Sequence, residues 1–231
     1  MNESLKAKLC HLPFSKKMKD SLDNIATRES PSVPRLSEIR KNLALRLTEP
    51  LARLLARTAI TPSTITWFGF LLAAGATVLI ITGHLFAAGW VVLIGGFFDM
   101  LDGALARYTN RATRFGALLD STLDRLSEAV ILLGILVLYA REQLLAQTLL
   151  VGVTLFGSFL VSYIRARAET IGLTCQVGLF TRPERVIVLA LGLLFNQITY
   201  ALVIALGIIA VFSFITAGQR LLYVWQQTKI K

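Results

Sequence analysis

Four aspartates are the residues of this sequence whose type and spacing could do chemistry. Asp99 and Asp102 are three residues apart, and Asp120 and Asp124 are four apart, so on helices each pair projects from one face. Carboxylate oxygens on facing helices are the ligands that hard cations such as Mg²⁺ and Mn²⁺ prefer. Two carboxylate pairs also suit a two-metal clamp on a phosphoryl group. The spacing therefore predicts a divalent-metal site for phosphoryl chemistry.

These acids lie in apolar surroundings, where an uncompensated charge is costly. An aspartate at the centre of a membrane span costs roughly 2.5–3.5 kcal/mol on insertion scales, and two carboxylates about 5 Å apart repel each other by roughly 3 kcal/mol at an effective dielectric constant of about 20. Divalent cations would compensate these charges. The alternative is a helix junction held together by salt bridges to nearby arginines, namely Arg107, Arg111, Arg114 and Arg125.

The composition indicates that the elements carrying the aspartates cross a membrane. Hydrophobic residues make up 55% of the 231 residues, charged residues make up 16%, and the mean hydropathy is +0.64. So few charges cannot cover the surface of a soluble globule, and disorder is excluded. The net charge of +10 is concentrated in the N-terminal segment and in short connections, so we expect no nucleic-acid partner. Cys10 and Cys175 are too far apart in sequence for a disulfide framework or a zinc motif.

An amphipathic segment precedes six apolar stretches. From Leu36 to Leu55, leucine and isoleucine recur at steps of three and four with basic residues between them, which is typical of a helix lying on a bilayer surface. A spanning helix needs about 20 residues. The first four stretches meet this length and the last two need flanking residues, so we expect six spans, or five and a re-entrant segment. The stretches are 62–81, 85–106, 116–139, 144–164, 186–195 and 200–214.

The predicted fold is an all-α integral membrane bundle of six transmembrane helices preceded by an amphipathic interfacial helix. Residues 1–34 form a polar arm, residues 35–60 form the amphipathic helix, and residues 61–225 form the transmembrane domain. Basic residues concentrate in the arm, in the connections 107–114 and 165–185, and in the C-terminal tail. The positive-inside rule then places both termini in the cytoplasm, in a multi-pass protein of the cell membrane. The aspartates would meet just inside the cytoplasmic boundary.

The segment around the aspartates resembles a known family. The pattern Asp-Gly-x2-Ala-Arg-x8-Gly-x3-Asp-x3-Asp is the signature of the CDP-alcohol phosphotransferases, and this sequence matches every fixed position. The resemblance implies six transmembrane helices, a homodimer, and transfer of a lipid group from a CDP-linked lipid to an alcohol with release of CMP. The matching residues are Asp102, Gly103, Ala106, Arg107, Gly116, Asp120 and Asp124.

The resemblance also assigns roles to individual residues. It implies that Asp99, Asp102, Asp120 and Asp124 bind one or two Mg²⁺ or Mn²⁺ ions, and that Asp124 is the base that accepts the proton of the attacking hydroxyl. It further implies a set of contacts with the CDP-linked lipid. This set comprises Ser63, Thr64, Ile65, Thr66, Gly103, Arg107, Thr113 and Gly116.

Within the family, the basic residues resemble those of phosphatidylinositol-phosphate synthases, whose acceptor is inositol phosphate. This implies that Arg114, Arg165, Arg185 and Arg220 hold the phosphate of the acceptor. The positive-inside rule explains the charges of Arg167 and Arg182 as well as binding of the acceptor does. The same chemistry with glycerol-3-phosphate as acceptor is the alternative. A divalent-cation transporter would need carboxylates near the middle of the bilayer, and the glycine and arginine spacing is foreign to an aspartate-rich prenyltransferase.

Overall fold

The computed structural model describes residues 61–109, 113–173, 175, 177–178 and 180–229. The predicted arm at 1–34 and amphipathic helix at 35–60 lie outside these residues. The described part contains six α-helices and no strand, which confirms the predicted all-α class. The helices are α1 Pro62–Ile81, α2 Leu85–Tyr108, α3 Arg114–Arg141, α4 Leu145–Thr170, α5 Arg182–Leu194 and α6 Ala201–Lys229.

Threonine caps begin three of the helices. The hydroxyl oxygen of Thr61 accepts a hydrogen bond from the backbone of α1, which has Pro62 in its first turn. The hydroxyl oxygen of Thr113 does the same at the start of α3, and Thr181 forms a capping box with Glu184 at the start of α5. Such caps satisfy backbone N–H groups that have no partner in the first turn. All three capping threonines line the cavities described below.

Four helices, α1, α2, α4 and α6, are long and apolar enough to cross a membrane. The chain is therefore a multi-pass membrane protein. Helix α3 has 28 residues, but its first half carries several charged residues. Helix α5 has only 13 residues, or about 20 Å at 1.5 Å per residue. Helix α6 continues beyond the predicted apolar stretch 200–214, because Leu221, Leu222 and Trp225 extend its apolar character to the C-terminal turns.

Within the described residues, each helix packs extensively against two others. Helix α1 packs against α2 and α3, α4 packs against α3 and α6, and α5 packs against α2 and α6, whereas α3 and α5 share no extensive packing. One apolar core includes the fully buried residues Ile80, Leu132, Ile135, Leu193 and Leu206. Residues of α3 and of α5 both belong to this core, and ion pairs between charged side chains add further contacts between the two helices.

Candidate active site

The fold brings together the two aspartate pairs. Asp99 lies in the second half of α2, and Asp124 lies in the third turn of α3. The guanidinium group of Arg182, in the first turn of α5, contacts both of them. Its Nη2 donates to Oδ2 of Asp99 at 2.6 Å, and its Nη1 lies 2.6 Å from Oδ1 of Asp124. The carboxylates of α2 and α3 therefore lie within reach of one cation.

Asp102 is the most buried of the four aspartates, with 3% of its surface exposed. The hydroxyl of Thr66, in α1, donates to its Oδ2 at 2.7 Å. Its Oδ1 is buried and has no hydrogen-bond partner within the described residues. A buried carboxylate oxygen without a partner is costly, so Asp102 fits a cation ligand.

The donor set of the aspartates fits a divalent metal ion. All the side-chain donors are oxygens, as Mg²⁺ and Mn²⁺ prefer. In the described part of the chain, no three acidic, histidine or cysteine side chains are already arranged as a metal site. A divalent ion bound to Asp99 and Asp124 would have to replace the contacts made by Arg182.

The salt-bridge alternative relied on four arginines that flank the aspartates in sequence, Arg107, Arg111, Arg114 and Arg125. Among the described residues, the arginine in salt-bridge contact with the aspartates is Arg182; Arg111 lies outside the described residues. The compensating charge comes from α5 because the fold places its first turn against α2 and α3.

Helix α1 approaches Asp99 closely through Gly69. A Cβ atom added at Gly69 would lie 2.8 Å from Oδ1 of Asp99, closer than real Cβ contacts allow. The absence of a side chain at this position therefore leaves room for the carboxylate. No motif in the sequence marks Gly69, since its role depends on how α1 and α2 cross.

A cavity of about 600 Å³ opens beside Asp102 and Asp120; we call it the donor cavity. Six of the eight residues predicted to contact the CDP-linked lipid line it. Thr64 and Ile65 are not in its lining: Thr64 is exposed and Ile65 is buried. The six lining residues are Ser63, Thr66, Gly103, Arg107, Thr113 and Gly116.

A second cavity, of about 620 Å³, lies on the other side of α3; we call it the arginine cavity. Of the predicted acceptor residues, Arg165, Arg185 and Arg220 line it, and Arg114 does not. Arg182 and the aspartates Asp120 and Asp124 line it too. A cavity with several guanidinium groups favours an anionic, phosphorylated ligand.

Two of these arginines are bound to other protein groups. Arg185 is 2% exposed, and its Nε and Nη2 donate to the two carboxylate oxygens of Glu128 at 2.6 and 2.8 Å. Arg220 donates from Nε to the carbonyl oxygen of Val177 and from Nη1 to that of Val161, at 2.9 and 2.7 Å. By contrast, Arg165 is exposed and pairs with Glu169 in the same helix. The arginines of this cavity therefore differ in how freely they can reach a ligand.

Sequence reasoning missed Glu128, and it left Arg182 undecided. A signal for Glu128 existed, because it follows Asp120 and Asp124 at a spacing of four, and this spacing places all three acids on one face of α3. For Arg182 the sequence contained no such signal. Arg185 follows three residues later, and the sequence does not show which of the two arginines faces the aspartates.

Asp120 is the residue at which the two cavities meet. It lines both the donor cavity and the arginine cavity. A group held in one cavity can therefore reach a group held in the other beside the aspartates. This arrangement suits the transfer of a phosphorus-containing group from one bound molecule to another.

Comparisons with known proteins agree with this geometry. Residues 59–219 match the sequence model of a family described as CDP-alcohol phosphatidyltransferase. A phosphatidylinositol phosphate synthase of Mycobacterium marinum is 42% identical over 189 residues, which cover 78% of this chain and 80% of the relative. An archaetidylinositol phosphate synthase of Methanothermobacter thermautotrophicus is 38% identical over 186 residues, which cover 80% of this chain and 91% of the relative.

Solved structures of one enzyme share the fold. The crystal structure of Mycobacterium tuberculosis phosphatidylinositol phosphate synthase with CDP-DAG bound has a TM-score of 0.71 and 37% identity, and covers 78% of this chain and 94% of that one. The structure of the same enzyme in complex with manganese and citrate has a TM-score of 0.70 and 38% identity, and covers 77% of this chain and 88% of that one.

Proposed function

The chain belongs to the CDP-alcohol phosphatidyltransferase family, and from this premise we propose that it transfers the phosphatidyl or archaeal lipid group of a CDP-linked lipid to inositol phosphate, with release of CMP. Relatives named for phosphatidylinositol phosphate and for archaetidylinositol phosphate match at similar identity. This supports an inositol phosphate acceptor with either kind of lipid. The observation that carries the proposal is that two cavities share Asp120.

We assign the donor cavity to the CDP moiety. Arg107 supplies a guanidinium group for a phosphate, and Gly103 and Gly116 let the ligand approach the helix backbone. Thr64 and Ile65 lie outside the lining, so we give them no direct contact. The lipid tails would extend along the apolar outer faces of the helices.

We assign one or two Mg²⁺ or Mn²⁺ ions to Asp99, Asp102, Asp120 and Asp124. The manganese in the structure of the relative supports this assignment, as does the unpartnered Oδ1 of Asp102. The chemistry supplied by a bound divalent cation is neutralisation of negative charge on the pyrophosphate and on the departing CMP. Thr66 holds the Asp102 carboxylate in place through its hydrogen bond.

Asp124 is our candidate for the general base. It lines the arginine cavity, where the acceptor hydroxyl would lie, and can accept the proton of that hydroxyl. The hydroxyl oxygen forms a new bond to the β-phosphorus, which carries the lipid. The bond from this phosphorus to the oxygen of CMP breaks, and CMP leaves with the electron pair.

We assign the acceptor phosphate to the arginine cavity. Arg165 is exposed there, Arg182 faces the aspartates, and Arg220 borders the cavity with its guanidinium held by two backbone carbonyls. Arg185 lines the same cavity, but Glu128 occupies two of its nitrogens. Arg114 lies outside the lining and stays a prediction from resemblance.

We propose that the protein works as a homodimer in the cell membrane, with both termini and the aspartates on the cytoplasmic side. The concentration of basic residues in the connections on that side supports this orientation. The active site would then meet a water-soluble acceptor while the lipid stays in the bilayer.

An acceptor assay tests the proposed function. Purified protein in detergent receives CDP-diacylglycerol, Mg²⁺ and one acceptor at a time, and CMP release is measured. We expect CMP with inositol phosphate, far less with unphosphorylated inositol, and none without acceptor. Product from glycerol-3-phosphate and none from inositol phosphate would instead assign the alternative acceptor. Flux of Mn²⁺ into liposomes without CMP release would favour a transporter.

A further inference from the structure

Arg182 binds two of the carboxylates that we assign to divalent metal ions. Its Nη2 and Nη1 each lie 2.6 Å from a carboxylate oxygen, one of Asp99 on α2 and one of Asp124 on α3. The guanidinium group therefore neutralises the same side chains that a divalent cation would neutralise. Because two cations close together on the same carboxylates repel each other, Arg182 and the metal compete for this position.

The other arginines of the arginine cavity have partners outside the four aspartates. Each partner is a carboxylate or a backbone carbonyl oxygen. The partners are Glu128 for Arg185, Glu169 for Arg165, Ser121 for Arg125, and Val161 and Val177 for Arg220. By contrast, Nε of Arg182 is buried and has no hydrogen-bond partner among the described residues. Within this part of the chain, Asp99 and Asp124 thus hold the Arg182 guanidinium without another hydrogen bond.

The arginine cavity gives the Arg182 side chain room to leave the aspartates. The side chain is 22% exposed and already lines this cavity of about 620 Å³. Four other arginines line the cavity, namely Arg125, Arg165, Arg185 and Arg220. A guanidinium group released from its carboxylates would be repelled by these like charges. An anionic ligand would relieve that repulsion, so release of Arg182 should raise the affinity of the cavity for a phosphate.

We propose that Arg182 couples the metal site to the acceptor site. Its guanidinium group neutralises Asp99 and Asp124 until these carboxylates bind a divalent cation, and it then binds the acceptor phosphate in the arginine cavity. Each ligand favours the other, because both require Arg182 to leave the two aspartates, and such coupling is reciprocal. Since the acceptor belongs to the proposed function, the coupling rests on that function, whereas the competition between Arg182 and the metal does not.

The affinity for Mn²⁺ tests the competition without any turnover. Purified protein in detergent is titrated with Mn²⁺, and the free ion is measured by electron paramagnetic resonance. Arg182→Gln removes the competing charge, so we expect Mn²⁺ to bind about tenfold or more tightly, as the coupling of close charge pairs implies. Arg182→Lys keeps the charge without the planar pair of nitrogens, so its affinity should lie between the two. Unchanged or weaker Mn²⁺ binding in Arg182→Gln would overturn the proposal.

Arg165→Gln is the matched control for the loss of a positive charge. It removes the same charge from the same cavity, but Arg165 is exposed and pairs with Glu169 instead of the aspartates. Exposed charges are screened by solvent and salt, so its affinity for Mn²⁺ should change less than about twofold. Equal tightening in Arg165→Gln and Arg182→Gln would show a general effect of charge and would refute a specific competition by Arg182.

The coupling is measured by repeating the Mn²⁺ titration with saturating inositol phosphate. In the wild-type protein, inositol phosphate should tighten Mn²⁺ binding about fivefold or more, the range usual for coupled sites. In Arg182→Gln the same addition should change the Mn²⁺ affinity little, because the residue that connects the two sites is gone. Absence of coupling in the wild type would contradict the proposal. So would coupling that persists in Arg182→Gln, since the metal and the phosphate would then interact without Arg182.

The outcomes separate this inference from the proposed function. Melting temperatures show whether each variant folds, and if Arg182→Gln does not fold, Arg182→Lys must still bind Mn²⁺ more tightly than the wild type. Wild-type protein that releases no CMP with inositol phosphate would refute the proposed function, and the Mn²⁺ titrations would still decide whether Arg182 competes with the metal. An active wild-type enzyme whose Mn²⁺ affinity does not depend on Arg182 would refute the inference alone.

Discussion

The close approach of Gly69 to Asp99 makes a sharp test of the site. In Gly69→Ala, the added methyl group would lie 2.8 Å from Oδ1 of Asp99. Ordinary contact begins at 3.4 Å, so the carboxylate or the helix must move by about 0.6 Å. Asp99 cannot turn away freely, because Arg182 holds its other oxygen at 2.6 Å.

The expected loss follows from the size of this shift. A displacement of 1 Å in a catalytic group can reduce the rate by about 10²-fold, so a shift of about half that size should reduce kcat/KM by roughly tenfold. The fold itself should not suffer, because alanine is better than glycine within a helix by about 1 kcal/mol. This variant should therefore lose activity without losing stability.

The assay has a matched control in the same helix. Gly75→Ala places a methyl group where no atom lies within 4 Å, so it should keep wild-type activity and a melting temperature at least as high. CMP release and thermal unfolding in detergent are measured for both variants. Wild-type kcat/KM in Gly69→Ala would show that the position of Asp99 does not matter to the reaction, and would refute the reasoning.

Three further substitutions test other parts of the structure. Asp124→Asn should reduce CMP release by at least about 10²-fold, as expected when a general base is lost. Binding of the CDP-linked lipid, measured by calorimetry, should persist. Near-normal turnover would show that Asp124 is not the general base. Thr66→Val should weaken Mn²⁺ binding by about 10–100-fold in a spectroscopic titration, because Asp102 loses its hydrogen-bond donor. Unchanged affinity would show that this hydrogen bond does not support the metal site. Gly178→Ala should lower the melting temperature, because the residue has φ of +144° and an added Cβ would lie 2.7 Å from the side chain of Thr216. Such backbone strain costs about 1–3 kcal/mol. An unchanged melting temperature would contradict this expectation.

The sequence predicted the fold class and the meeting of the aspartates because both depend on local pattern. The length of the apolar stretches predicted the helices, and the spacing of the acids predicted that each pair lies on one helix face. The partner of Asp99 and Asp124 could not be predicted in this way. Arg182 lies far from both along the chain, and whether it or Arg185 faces them depends on the rotation of α5 about its axis. That rotation depends on how α5 packs in the folded protein, which no local pattern encodes.

The distribution of charge over the helices explains why the family is easier to recognise than the acceptor. Helices α2 and α3 supply the four aspartates, and all the fixed positions of the family motif lie on these two helices. Helices α4, α5 and α6 supply four of the five arginines that line the arginine cavity, at positions without a fixed spacing, and the fifth, Arg125, lies on α3. In-line transfer needs the leaving CMP and the attacking hydroxyl on opposite sides of the phosphorus. We therefore expect residues of the donor cavity to be common to enzymes that share the CDP-linked donor, and residues of the arginine cavity to change with the acceptor.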